Sequence, residues 1–287
     1  WADLLRVNGE INKKDADFHN VGERFGTGDN QFSGQFGANV NIDKFLPAKL
    51  GITLPVSVNY SKSESTPKYM PGSDIEVTEN LPDSVLQQIK NFKEKRGMSA
   101  SFGFNSKSQN FVVKHVLRPF KASYSRNEGN GSNSRTEYSK DRSESGSASW
   151  GIVFGRNNFV RPFKFMESSK YAAKLSDMKL FYTPQSFSTK IAGSRSNSES
   201  KTRSGVFAEN STFKITRGAS LNMKFIESLS LDLSRNYTND LRDIPDSLVW
   251  DSIKAGDWGA LTNVDQNTTL KFNPKIFAFF TTNFSHN

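Results

Sequence analysis

Cysteine is absent from this 287-residue chain, which excludes disulfides, thiol catalysis and thiolate metal ligation. Histidine is scarce: His19, His115 and His286 stand far apart. With no HExxH or HxxxH spacing and no neighbouring carboxylate cluster, neither a zinc site nor a catalytic triad has a foundation. Gly26-Thr27-Gly28 lacks the Lys-Ser/Thr of a phosphate-binding loop and reads as a turn. No run approaches the ~20 apolar residues of a membrane-crossing helix. That excludes helical membrane proteins but leaves barrels open, because a barrel spreads its signal over short alternating segments. The chain starts at Trp1 with no initiator Met, charged n-region or apolar h-region. The expectation is a processed product or a portion of something longer.

The net charge of +9 would suit nucleic acid or anionic lipid. The Lys and Arg residues are dispersed, however, with no block of five and no RNP or OB signature, so nucleic acid is not an expected partner. No enzyme class is indicated.

Against these absences stand 24 Phe in a chain only 35% hydrophobic, with a mean hydropathy of −0.60. Polar bulk with heavy aromatic content suits strands that are apolar on one side only. The order of residues bears this out. Phe32, Gly34, Phe36, Ala38, Val40 and Ile42 alternate with Ser33, Gln35, Gly37, Asn39 and Asn41. Ile52, Leu54, Val56, Val58 and Tyr60 alternate with Thr53, Ser57, Asn59 and Ser61. Met98, Ala100, Phe102 and Phe104 alternate with Ser99, Ser101, Gly103 and Asn105. Ala148, Trp150, Ile152 and Phe154 alternate with Ser147, Ser149, Gly151 and Val153. The period is two, so the class is all-β.

Alternation alone fits a β-sandwich as well as a barrel. Length favours the barrel. Gln31 to Asp43, Gly51 to Glu64 and Gly97 to Ser108 each exceed the five or six residues usual in soluble strands and reach the ~9–11 of a tilted membrane strand. Some connections are short, as at Arg156-Asn157-Asn158 and Asn273-Pro274. Residues 126–145 and 194–204, almost without apolar content, read as long polar loops. Short turns at one rim and long loops at the other are the outer-membrane arrangement. Asp83-Ser84 caps a predicted loop helix over Val85 to Arg96 (84–96 with its cap), and Asp246 to Ala255 is a second helix candidate. His115 is placed on the apolar side of a strand with Phe111, Val113 and Leu117. Asp74, Glu76, Glu79, Asp83, Asp240, Asp243, Asp246 and Asp251 gather in connections. Such oxygens can hold Ca²⁺, but their spacing matches no calcium motif and solvated loop charge explains them equally. No cofactor is expected.

One run is more specific. Pro55, Tyr60, Ser63, Thr66, Pro67, Lys68, Tyr69, Pro71, Gly72 and Asp74, followed by the predicted helix, resemble barrel segments of the SprA family, outer-membrane translocons of type 9 secretion and gliding motility. Leu180 to Ser188 (LFYTPQSFS) and Ala219 to Asp243 (ASLNMKFIESLSLDLSRNYTNDLRD) are similar to further strand patterns of that family, in family order. The resemblance implies one portion of a very large single-chain barrel that conducts secreted proteins across the outer membrane of a Bacteroidota-type bacterium. It also implies a plug and a PorV-type shuttle barrel as partners.

The expected architecture is therefore a single transmembrane β segment over 1–287, of about a dozen strands. Phe36, Val40, Val56, Val58, Phe102, Phe104, Trp150, Ile152 and Phe154 are assigned to lipid. Ser33, Gln35, Asn39, Ser57, Asn59, Ser99 and Ser101 are assigned to a wet lumen, and Thr66 to Asp74 to a rim loop. A smaller complete porin-like barrel and a soluble extracellular β-sandwich are the alternatives.

Overall fold

The period-two pattern becomes one long antiparallel sheet. The computed structural model describes residues 4–19, 28–70, 72–77, 81–155, 157–167, 176–245 and 247–273, and the backbone of 275–277, 280–281 and 284–286. The first strands are β1 (Leu5–Lys14), β2 (Asp29–Asn41), β3 (Ile52–Thr53) and β4 (Pro55–Pro67). Next come β5 (Asn91–Phe104), β6 (Lys121–Ser132), β7 (Thr136–Val153) and β8 (Phe159–Val160). They are followed by β9 (Leu180–Phe181), β10 (Ser186–Thr202), β11 (Phe207–Ile226) and β12 (Leu229–Asp240). The last are β13 (Ala260–Phe272), β14 (Lys275–Phe277), β15 (Phe280–Thr281) and β16 (Phe284–His286). Two short helices, α1 (Asp83–Ile89) and α2 (Val249–Lys254), lie in connections.

The main sheet has twelve strands in the order β1-β2-β4-β5-β6-β7-β10-β11-β12-β13-β16, with β3 also paired to β5. Neighbours in sequence are neighbours in space, the meander that short un-crossed connections favour. β8–β9 and β14–β15 form separate two-stranded ribbons. The chain divides into two compact units. Unit 1 comprises Trp1–Ser106, Ala122–Gly146 and Ser194–Phe213; unit 2 comprises Lys107–Lys121, Ser147–Gly193 and Lys214–Asn287.

In unit 1 the register sorts side chains into two faces. Val40 pairs with Leu5 and with Val56, and Val56 pairs with Ala100. One residue on, Asn39 pairs with Ser57 and Ser57 with Ser99. Rows therefore alternate apolar and polar across four strands, which a slip of one residue would invert. On the polar face a second device repeats: glycine opposite Asn or Asp. Gly37 faces Asn8 and Gly97 faces Asn59. A Cβ on Gly37 would lie 2.7 Å from the Asn8 Oδ1, and one on Gly129 would lie 2.5 Å from the Asp141 Oδ1. In unit 2, Gly218 faces Asn236. Each amide or carboxylate lies over a bare Cα.

There is little core. Among the described residues the buried apolar side chains are Ala16, Ile89, Phe181, Ile215, Leu241 and Val249. Among the described residues Leu241 alone is fully enclosed, just after β12 in unit 2. Elsewhere the apolar face stays open: Val58 is 45% exposed and Met98 43%.

Several expectations are corrected. Residues 126–145 are not a loop. They are β6 and β7 joined by a turn at 133–135, and 194–204 is likewise the end of β10 and its turn. Their alternation is carried by charge rather than apolarity, as Arg126/Glu128 and Arg142/Glu144 show. The predicted helix over 84–96 keeps only its first half. Asn91 onward pairs with β4, Phe92 opposite Glu64 and Arg96 opposite Tyr60, so the third strand begins at Asn91 and ends at Phe104 rather than running from Gly97 to Ser108. Residues 111–117 are helical, not a strand. The Asn110 Oδ1 accepts the Val112 N–H at 2.9 Å, and the Phe111 and His115 rings sit 4.8 Å apart in helical i,i+4 contact. Pro71, Glu79, Arg156, Asp246 and Pro274 lie outside the described residues, as do Gly26, Thr27 and the side chain of His286.

Gly51 closes the turn before β3 at φ +63°. Its carbonyl accepts the Asn105 N–H at 2.5 Å, and a Cβ there would lie 2.5 Å from the Ser106 nitrogen. Gly72 has φ +80° with nothing within 4 Å. Gly51→Ala should therefore cost roughly 2 kcal/mol or more, because backbone must yield as well as adopt αL, and Gly72→Ala only about 1 kcal/mol. Urea midpoints of the refolded chain distinguish the two; equal shifts would refute the steric account.

Candidate functional surface

The polar face is rich in small side chains, with Glu10, Gln35, Lys93 and Lys95 among them. Ser57, Asn59, Ser61, Ser63 and Ser65 follow one another on β4, and Ser139, Ser143 and Ser145 on β7. Hydroxyls meet across strands, Ser125 to Ser145 at 2.8 Å in unit 1 and Ser188 to Ser220 at 2.7 Å in unit 2. In unit 1 this face is hollow. A cavity of about 1200 Å³ opens over it, with Asn12, Ser33, Ser63, Lys93 and Asp141 in its wall. A second of about 380 Å³ lies over Glu10, Gln35, Ser61 and Lys95. Serine, glycine and asparagine are too short to fill such a hollow as a barrel core would require.

The structure brings together the residues assigned from sequence. Ser33, Gln35, Asn39, Ser57, Asn59, Ser99 and Ser101 share the hollow face of unit 1. Phe36, Val40, Val56 and Val58 share the opposite face, continued by Phe102 and Phe104, whose rings meet edge-on at 5.0 Å. In unit 2, Trp150 and Ile152 alternate onto one face of β7, and Trp150 meets Phe187 of β10 at 6.2 Å. Phe154 lies beyond the end of β7, its N–H bonded to the Gln185 carbonyl at 2.9 Å.

Sequence reading missed that the apolar face stops partway along the strands. In unit 1 it ends where Arg96 lies over the Tyr60 ring at 6.0 Å and Arg195 over Phe213 at 5.8 Å. In unit 2 Arg217 stacks on Trp258 at 4.6 Å, and Arg235 lies 4.9 Å from the Tyr237 ring. Beyond this belt unit 1 carries ion pairs on the same face. Lys62 pairs with Glu64 at 2.7 Å, Arg96 with Glu94 at 2.7 Å and Arg142 with Glu144 at 2.6 Å. Arg126 pairs with Glu128, and reaches Glu144 at 3.6 Å. The legible signal was opposite charge at i,i+2, which shares a face on a strand but not on a helix.

At that end of unit 1 the described residues of the motif run, 66–70 and 72–74, complete β4 and follow it. Thr66 and Pro67 finish β4 opposite Asn30 and Asp29, and Tyr69 bridges Glu76. Lys68 donates to both carboxylate oxygens of Asp17 at 2.8 Å, which raises its pKa above the ordinary lysine value. Gly72 turns the loop at φ +80° ahead of Asp74. Arg203, in the β10–β11 turn, ties other connections together. Its Nε donates to the Asn133 carbonyl at 3.1 Å and its Nη2 to the Gln87 carbonyl of α1 at 3.1 Å. No cluster of three or more metal-ligating side chains occurs among the described residues, and Asp240 is held by Arg242 at 2.7 Å.

Residues 2–81 match the SprA_N family model, described as a motility related/secretion protein. The match contains the motif run from Pro55 to Asp74; the patches at Leu180 to Ser188 and Ala219 to Asp243 fall outside it. No curated protein sequence matches the chain. Among solved structures it is similar to the translocator domain of the autotransporter NalP from Neisseria meningitidis. That likeness has 8% identity over 87% of this chain and 70% of the other, with a TM-score of 0.21. At that score it carries no weight for fold or function.

Arg203→Lys keeps the charge and loses the planar fork that reaches two carbonyls at once. Amide exchange in α1 and in the turn at 133–135 should then quicken roughly tenfold, the equivalent of one lost charged hydrogen bond. Exchange in β4 and β5 should not change; unchanged exchange in α1 would remove Arg203 from this role.

Proposed function

We propose that this chain, whose residues 2–81 match the motility related/secretion family model SprA_N, is a stretch of wall in an outer-membrane β-barrel that conducts secreted proteins in type 9 secretion. One observation carries this reading: in unit 1 an exposed apolar face backs directly onto a hollow face of small polar side chains. A β-sandwich needs its apolar face covered by a second layer. A barrel wall needs the reverse, apolar outside and wet inside.

Dimensions support it. From Arg96 at the belt to Phe104 is eight residues, ~27 Å along a strand at ~3.4 Å each. At a ~40° tilt this spans about 20 Å, close to the ~25 Å apolar band of outer-membrane barrels. Within lipid the twelve-stranded ladder satisfies the backbone, which no solvent there can do. β1 pairs only with β2 among the described strands, and a wide lumen requires many strands. The mechanism is passive. A serine- and asparagine-rich wall offers passing protein no apolar surface on which to stick, and gating falls to partner chains, a plug and a shuttle barrel by family resemblance. No bond is made or broken.

Val58 and Ser57 are adjacent and point to opposite faces. Val58→Lys should destabilise the chain in phosphatidylcholine vesicles by about 2–4 kcal/mol, the cost of a midplane cation on the lipid face, whereas Ser57→Lys should be near neutral. The readout is the urea midpoint of the vesicle-inserted chain. A wild-type chain that stays soluble and monomeric without detergent would overturn the membrane reading.

A further inference from the structure

Two connections of unit 2 share a four-residue string. Arg118-Pro119-Phe120-Lys121 follows the helical turn after β5, and Arg161-Pro162-Phe163-Lys164 follows β8. Residues 107–121 contain no Asp or Glu, and the second run contains none before Glu167. Both runs expose large apolar side chains: Phe111 and Phe165 are each 73% exposed, with Val112, Val116 and Val160 also open. Lys107, Lys114, Lys121, Arg161 and Lys164 are all exposed. The first run is fastened to the apolar face, because the Trp150 Nε1 donates to the Val116 carbonyl at 3.1 Å. At the other end of the unit 2 strands, the loop after β12 carries Asp243, Asp251 and Asp257 instead. The first end carries an excess of cations, whereas the other mixes these acids with Arg242, Lys254 and the exposed Trp250.

We infer that these two runs form a collar that binds the phosphate headgroups of the adjoining membrane leaflet, seating Phe111, Val112, Val116 and Phe165 at the level of the acyl-chain boundary. The inference rests on the reading that the apolar face meets lipid. Exposed aromatics beside an excess of cations are what an anionic interface selects. Continuity through Trp150 places the collar where the apolar face ends, at headgroup depth.

The test uses the full chain inserted into vesicles of phosphatidylcholine alone or with ~30% phosphatidylglycerol, within the range where each juxtamembrane cation adds measurable attraction. Flotation gives the bound fraction against lipid concentration. Wild type should partition at least tenfold more strongly to the anionic vesicles, and 0.5 M salt should remove the difference. A variant carrying K107Q, K114Q, K121Q and K164Q should lose most of that preference and keep its binding to phosphatidylcholine. A control with K13Q, K14Q, K95Q and K140Q, equal in net charge, should retain it. If both quadruple variants lose the preference equally, net charge and not the collar is responsible, and the proposal falls. It also falls if wild type shows no preference while still inserting, an outcome that leaves the membrane reading intact. Failure to insert into either vesicle overturns both.

Discussion

Everything in this structure depends on the backbone ladder. With only Leu241 fully enclosed among the described residues, side-chain burial within the chain cannot be what holds twelve strands together. The inter-strand N–H···O=C bonds do so, and their strength depends on surroundings. In water each competes with solvent and contributes modestly; in hydrocarbon there is no competitor, and an unmade bond is costly. A sheet with an exposed apolar face is therefore least stable in water and most stable in lipid, where that face is also satisfied. The thin core is consistent with a protein whose missing apolar layer is supplied by its surroundings.

The two faces answer different demands on the same ladder. The apolar side carries volume and no charge, with Val56, Val58, Met98 and Phe102 in unit 1 and Leu221, Leu231 and Leu270 in unit 2. The polar side needs hydrogen-bonding capacity without bulk. Glycine opposite asparagine achieves this at Gly97/Asn59 and Gly218/Asn236, because the amide lies flat over a missing side chain. A flat polar lining leaves the hollow open and still marks the register, since a slip would drive Asn into a neighbour that has a Cβ.

The strands were legible in the sequence wherever apolar and polar residues alternated, as at 32–42, 52–60 and 98–104. They were illegible where both faces were polar. Arg126, Glu128, Arg142 and Glu144 alternate with Ser125, Asn127, Ser143 and Ser145, yet hydrophobic periodicity cannot register an alternation between charge and hydroxyl. Asn91 to Arg96 failed for a related reason: strong helix formers such as Lys93, Glu94 and Lys95 were overridden by pairing to β4. Phe111 to Leu117 failed in the opposite sense, its apolar residues fitting a strand until the Asn110 cap and Pro119 stop bounded a helical turn. The two faces themselves were readable because a strand's parity survives errors of boundary. The belt of Arg on aromatic rings was not, since it depends on which residues stand opposite across strands.

Strand length completes the physical picture. β11 has 20 residues and β7 has 18, where ~9–11 suffice to cross a bilayer. The surplus in unit 1 lies past Tyr60 and Phe213, where the apolar side chains give way to charge. Alternating ion pairs occupy that stretch. Each such exposed pair is worth little in stability, so their number is not explained by strength. What they do is keep a long, flat, two-sided sheet surface wet and unattractive to other sheets, the role charges play on exposed β surfaces generally. The belt of Tyr60, Arg96, Phe213 and Arg195 then marks the change from an apolar face to a charged one, within single uninterrupted strands.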